Sequence, residues 1–145
     1  MAQQELFAAK LTELAAANAA MQAQIAVCQT ADHAAIQSLR AALEGEWRAT
    51  SEELRQRAKA IRFLSAQQLS QVQLEYVRKA HAVLEASLKT SWDYLAGNSE
   101  SNEVALFAEY AIDFATLAAR YALLAAVSAI DVEMEEEEKA VNADG

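Results

Sequence analysis

Two histidines, each close to a carboxylate in the chain, are the residues best suited to metal binding or acid–base chemistry. His81 and Glu85 are one helical turn apart, and His33 directly follows Asp32. Carboxylate-bridged di-iron bundles use paired Glu-x-x-His motifs, and neither histidine has a glutamate three residues before it. We therefore expect His81 to be a core or interface histidine and His33 to face solvent. The sequence predicts no catalytic, metal-binding or cofactor-binding residue, and we do not expect an enzyme.

The sequence gives no better support for disulfides, phosphate binding or a ligand pocket. Cys28 is the only cysteine, which excludes an intramolecular disulfide and a cysteine-based metal site and indicates a reducing compartment. Glycine-rich phosphate loops are absent from the sequence. Aromatic residues at helical spacing are core residues more often than ligand contacts, so an internal ligand pocket is only an alternative. Two groups of aromatics would line such a pocket: Trp47, Trp92 and Tyr94, and Tyr110, Phe114 and Tyr121.

The composition predicts an all-α protein. The 145 residues are 54% apolar, with no proline and only three glycines, so almost nothing interrupts the helical propensity of a chain dominated by Ala, Leu, Gln and Glu. This length suits one domain with a core of its own. We predict a single helical bundle domain over residues 1–139 and a disordered tail over residues 140–145.

The charge and the apolar runs restrict the partners. A formal net charge of -9 disfavours nucleic acid, because phosphate neutralisation supplies most of that affinity. No basic region followed by an apolar run begins the sequence, so a cytoplasmic location is the simplest expectation. The longest uncharged apolar run, residues 121–130, is about half of the ~20 residues that a bilayer requires. We therefore predict no transmembrane span.

A regular heptad predicts the first helix, over about residues 3–29. Its one strongly polar member is Asn18, which would fix register or oligomeric state if it faces the seam. An asparagine turned to the edge of the seam is the alternative. The heptad residues are Phe7, Leu11, Leu14, Asn18, Met21, Ile25 and Cys28.

Capping signals place the next helices at about residues 33–63 and 66–96. Asp32 is suited to cap the second helix, which we expect to be continuous. A kink or restart near residues 45–51 is the alternative, because Gly45 lies there and Thr50 begins a capping-box pattern. Ser65 begins another capping box, which predicts a reversal at that point. The alternative is one unbroken helix through residues 60–70.

The third helix and the final helix, at about residues 101–138, carry more apolar surface than a lone bundle needs. The third has two apolar stripes, whereas a monomeric bundle helix needs about one. The final helix is apolar on almost every side between Val104 and Val132. We therefore predict an antiparallel up-down four-helix bundle that self-associates. The predicted oligomer or partner interface comprises Leu74, Val77, His81, Leu84, Leu88, Trp92, Phe107, Phe114 and Tyr121.

Part of the third helix resembles a known family. Leu69, Leu74 and Tyr76 stand among glutamines and basic residues, namely Gln67, Gln68, Gln71, Gln73, Arg78 and Lys79. This composition is similar to the Gln/Leu-rich helices of phasins, small bacterial helical proteins that coat polyhydroxyalkanoate granules and self-associate. The resemblance covers about a third of the chain and carries over no functional residue, and the acidic C-terminal end departs from the basic tails of many phasins.

These observations predict a non-enzymatic, self-associating scaffold or coat protein of a bacterial cytoplasm. It would form a homo-oligomer and bind a protein partner or a hydrophobic particle surface. A partner-binding adaptor, such as a secretion or phage accessory protein, is the first alternative. A ligand-binding helical bundle is the second.

Overall fold

A computed structural model describes the backbone of residues 2–93 and 100–144. Within these ranges the chain forms four α-helices and no strand: α1 (Ala2–Cys28), α2 (His33–Ala60), α3 (Leu64–Asp93) and α4 (Glu100–Asp144). Helices α2 and α3 pack against each other, as adjacent helices of a bundle do. The predicted all-α, four-helix class is confirmed.

The start of α2 follows the predicted cap. Asp32 has an extended backbone, and its Oδ1 accepts a hydrogen bond from the Ala35 amide at 2.8 Å. Such a cap is worth about 1 kcal/mol because it satisfies a first-turn N–H that has no partner within the helix. The helix then runs through Gly45 and Thr50 without a break. The continuous helix is therefore confirmed, and the restart near residues 45–51 is excluded.

The reversal between α2 and α3 comes earlier than predicted. Helix α2 ends at Ala60, Ile61 is extended, and α3 begins at Leu64, so Ser65 lies inside the first turn of α3. The side chain that reaches back across the turn belongs to Gln67, whose Nε2 donates to the Ile61 carbonyl at 2.6 Å. The capping box predicted at Ser65 is wrong for this reason. The unbroken helix through residues 60–70 is also excluded.

Helices α2 and α3 form an antiparallel hairpin with one constant register. Gln67 contacts Ile61, and His81 stacks on Trp47. His81 follows Gln67 by the same fourteen residues by which Trp47 precedes Ile61, so both contacts belong to one antiparallel pairing. Covered residues recur at steps of three and four along α3, as a packed seam requires. They include the two buried serines: Gln67, Ser70, Leu74, Val77, His81, Leu84 and Ser87.

The described chain divides into two compact units. One, Ala31–Glu109, contains α2, α3 and the first turns of α4, and the other joins Met1–Thr30 to Tyr110–Gly145 and so contains α1 and the rest of α4. The single domain over residues 1–139 stays a prediction. The tail is helical through Asp144, so the disorder predicted from residue 140 is wrong for residues 140–144. No glycine or proline precedes Gly145 there to end the helix.

The apolar side chains of the described residues form no closed core. Side-chain exposure is described for residues 3–89 and 103–144, and no apolar side chain in these ranges is buried. Large apolar residues are instead exposed along α1, α3 and α4. Globular domains of this length normally bury a contiguous apolar cluster. The described protomer therefore leaves most of its apolar surface for something else to cover.

Candidate functional site

The predicted interface residues of α3 lie on the side of that helix that is covered within the chain. Leu74, Val77, His81, Leu84 and Leu88 are half-buried, and His81 contacts α2 directly. The backbone of Trp92 belongs to α3, but its side chain lies outside the described residues. An interface between copies at these positions stays a prediction. The exposed side of α3 is the other predicted stripe, which includes Leu69, Val72, Tyr76 and Val83.

His81 is the centre of a small polar cluster between α2 and α3. Its ring stacks on the indole of Trp47 with centroids 4.1 Å apart and an interplanar angle of 22°. Its Nε2 lies 2.9 Å from Glu85 Oε1, at ion-pair distance. Glu44, from α2, completes the cluster and also lies 3.5 Å from Nη2 of Arg48. The stack and the contact with Glu85 hold the imidazole in one orientation.

This cluster could hold a divalent cation. One ligand atom each from Glu44, His81 and Glu85 lies within 4.8 Å of the other two. One imidazole and two carboxylates form a donor set that zinc and related ions accept, with a coordination position left for solvent. The ion-pair contact between His81 and Glu85 already accounts for two of the three groups without a metal. Sequence reasoning missed Glu44 because it lies on another helix, and only the hairpin register brings it beside His81.

Helix α4 carries a second candidate site, an apolar stripe with strict heptad spacing. Six residues at alternating steps of three and four form this stripe, which we call the α4 face: Phe107, Tyr110, Phe114, Leu117, Tyr121 and Leu124. Phe107 is half-buried, and the other five are exposed, at 66, 44, 62, 63 and 60% in chain order. Alternating steps of three and four keep side chains on one side of a helix, as in a coiled-coil seam.

The sequence predicted only half of the α4 face as interface. Phe107, Phe114 and Tyr121 were expected there, and the structure places Phe114 and Tyr121 among the exposed residues. Tyr110, Leu117 and Leu124 lie between them on the same side of the helix and were not included. Heptad spacing identifies them, because each follows one of the three predicted aromatic residues by three positions and so lies on the same side of the helix.

The exposed area of the α4 face is large for a monomer. An aromatic side chain presents roughly 150–250 Å², so Tyr110, Phe114 and Tyr121 at their observed exposures leave roughly 350 Å² open. The largest apolar patch on a typical monomer is roughly 300–600 Å² in total and is often functional. Leu117 and Leu124 add to the same patch. The α4 face is therefore of the size that marks an interaction surface.

The borders of the α4 face differ in character. Along one border lie two ionised residues, Asp113 and Arg120, each immediately before an aromatic residue of the face. Along the other border are small residues, Ala111, Ala118 and Ala125. Small border residues allow another helix to approach the backbone closely, and charged border residues select its orientation.

The segment Glu103–Asp144 of α4 is also long and apolar enough, by length and composition alone, to cross a membrane. Its most apolar 18-residue window has a mean hydropathy of 1.5, and none of that window is buried. Two aspartates and one arginine limit the apolar stretch. Asp113 and Asp131 are separated by seventeen residues, and Arg120 lies between them. The prediction that the chain has no transmembrane span stays a prediction.

Comparison with known proteins adds no relative, since no family model, curated protein or solved structure matches this chain. The resemblance to phasins therefore stays a prediction from composition.

Proposed function

We propose that this protein is a non-enzymatic, self-associating helical scaffold or coat protein of the cytoplasm. The observation that supports this proposal is the apolar surface of α4, which is exposed over five of the six residues of its heptad face. Apolar area removed from water stabilises an assembly by about 25 cal/mol per Å² before the costs of association. A protomer with open heptad seams is thus suited to pack against apolar surface outside itself.

A second copy suits α4 better than a lipid bilayer. An arginine at the centre of a membrane helix costs roughly 2.5–3.5 kcal/mol on insertion scales, and Arg120 lies near the middle of the apolar stretch. The seventeen residues between Asp113 and Asp131 are also at the short end of the range that spans a bilayer. At the border of a protein seam the same charges stay in water.

A coat function and a scaffold function differ in what covers the apolar surface. A coat protein would adsorb to an apolar particle and change its assembly state there, in keeping with the resemblance of α3 to phasins. A scaffold would keep one defined oligomer with or without the particle. A partner-binding adaptor, the alternative, would need a specific protein ligand for its apolar seams.

Light scattering on the full chain at micromolar concentration tests self-association. The expected result is a mass that is a multiple of 15.8 kDa, and a mass of 15.8 kDa at every concentration would refute the proposal. Adding polystyrene or oil particles then separates the two roles. Depletion of the protein from solution by the particles supports a coat, whereas an unchanged oligomer in solution supports a scaffold.

A further inference from the structure

We infer that the α4 face is the contact between two copies of this chain, whose α4 helices run antiparallel. The inference rests on the proposed self-association and adds its geometry. It is carried by the exposure of the face, by the aromatic ring present in every antiparallel pair and by the charges along its border. All three observations concern residues of the single helix α4.

The six residues of the α4 face are self-complementary in the antiparallel direction. In such a pair, the first heptad position of one helix packs against the fourth position of the other. A two-fold axis midway between residues 115 and 116 pairs all six residues and leaves none over. Each pair of facing residues forms one layer of the contact, contains at least one aromatic ring and occurs twice by symmetry. The pairs are Phe107 with Leu124 of the second copy, Tyr110 with Tyr121, and Phe114 with Leu117.

The border charges complement each other in the same register. In each packed pair of the α4 face the two residue numbers add up to 231, for example 107 and 124. On the charged border, residues of the two copies face each other when their numbers add up to 233. This rule places Asp113 opposite Arg120 of the second copy, and symmetry forms the pair twice. It also places Leu106 opposite Val127, both of which are exposed in the protomer. On the other border, Ala111 meets Ala118, where two methyl groups allow close approach.

A parallel pair does not use these charges. In a parallel coiled coil, a residue on one border meets the residue five positions later on the opposite border of the partner. Asp113 would then face Ala118, and Arg120 would face Ala125. Neither charge gains a partner in this arrangement. The two charges therefore favour the antiparallel orientation specifically.

The area of the contact fits a reversible assembly. Two copies of the α4 face bury roughly 1,000 Å² together, at the lower end of the range for specific protein interfaces. Five of the six residues of this stripe are exposed in the described chain, so most of the contact surface is accessible without unfolding the helix. We therefore expect dimers that dissociate on dilution.

Charge reversal tests the orientation, with sedimentation velocity on the full chain as the readout. Asp113→Arg and Arg120→Asp each place like charges opposite each other twice per dimer, so each is expected to weaken association roughly tenfold or more. The double variant restores opposite charges and is expected to recover the wild-type affinity. Glu109→Arg, which reverses a charge on the same helix but off the border of the seam, is the matched control and leaves association unchanged.

A distance measurement provides a second, independent test. In a Cys28→Ser background, Glu137→Cys carries a single spin label on an outward position near the end of α4. At a rise of 1.5 Å per residue, an antiparallel pair centred near residue 115 places the two labels about 65 Å apart. A parallel pair places them within about 20 Å, and a short distance would overturn the inference.

The outcomes separate this inference from the proposed function. A wild-type chain that stays monomeric in water refutes both, and adsorption of that monomer to phosphatidylcholine vesicles would assign the α4 face to lipid instead. If the wild-type chain is oligomeric and neither Asp113→Arg nor Arg120→Asp weakens its association, self-association is supported but the antiparallel contact is refuted. Loss of association in both single variants, with recovery in the double variant, supports the antiparallel contact.

Discussion

Shortening one leucine of the α4 face should weaken self-association by a predictable amount. Leu117→Ala removes about three carbons, worth roughly 0.8 kcal/mol each when they are fully buried. Leu117 is 62% exposed in the protomer, so only that fraction is newly buried on association, or about 1.5 kcal/mol per copy. A dimer contains the residue twice. The expected loss of about 3 kcal/mol corresponds to a roughly hundredfold rise in the dissociation constant.

Leu123→Ala is the matched control for this prediction. Leu123 is 52% exposed, lies on the same helix and loses the same atoms, but it lies outside the α4 face. Sedimentation equilibrium of both variants over a dilution series gives the two dissociation constants. Both protomers should lose a similar amount of folding stability, roughly 1 kcal/mol, because each leucine is partly covered in the protomer. Equal effects of the two substitutions, or no effect of Leu117→Ala, would refute the assignment of the face.

Three further predictions concern the hairpin of α2 and α3. Gly45→Ala should stabilise the protein by about 0.5–1 kcal/mol in urea unfolding, because Gly45 is inside a helix and an added Cβ meets nothing within 4 Å; destabilisation would contradict the open environment. A double-mutant cycle of Trp47→Ala and His81→Ala should give a coupling energy of about 0.5–1.5 kcal/mol from the ring stack, and additive effects would show that the rings do not interact. Zinc should leave the melting temperature unchanged, because the ion-pair contact between His81 and Glu85 accounts for their proximity. A zinc-dependent rise that His81→Ala abolishes would instead identify a metal site, since a ligand at 100 times its dissociation constant stabilises by about 2.7 kcal/mol.

Local signals in the sequence predicted the helices well. Composition predicted the all-α class, and the side-chain chemistry of Asp32 located the start of α2. The turn at residues 61–63 was placed too late because the capping-box pattern starts at Ser65, whereas α3 begins at Leu64 and the side chain that reaches across the turn donates to the Ile61 carbonyl. The structure uses Gln67, and a capping-box pattern based on Gln68 cannot show that. The sequence analysis did not predict that α4 continues to Asp144. Continuation of a helix depends on small differences in helix propensity between residues, and the acidic run is not enough to end the helix.

The candidate sites were less predictable because they depend on which stripe each helix buries. Helix α3 has two apolar stripes, and sequence periodicity does not say which of them meets α2. The structure covers the stripe that contains His81 and leaves the stripe that contains Tyr76 exposed. The proximity of Glu44 to His81 likewise follows only from the register of the hairpin. On α4, the heptad from Phe107 to Leu124 was readable from spacing alone, although only every seventh residue had been assigned to the interface.

A native mass spectrum of this chain as isolated tests the central claim most directly. The claim is that a second copy covers the apolar face of α4, so the account predicts species at even multiples of 15.8 kDa without added mass. Dilution should convert these species to single chains. A spectrum that contains only single chains, or single chains carrying a different protein or bound lipid, would contradict the account.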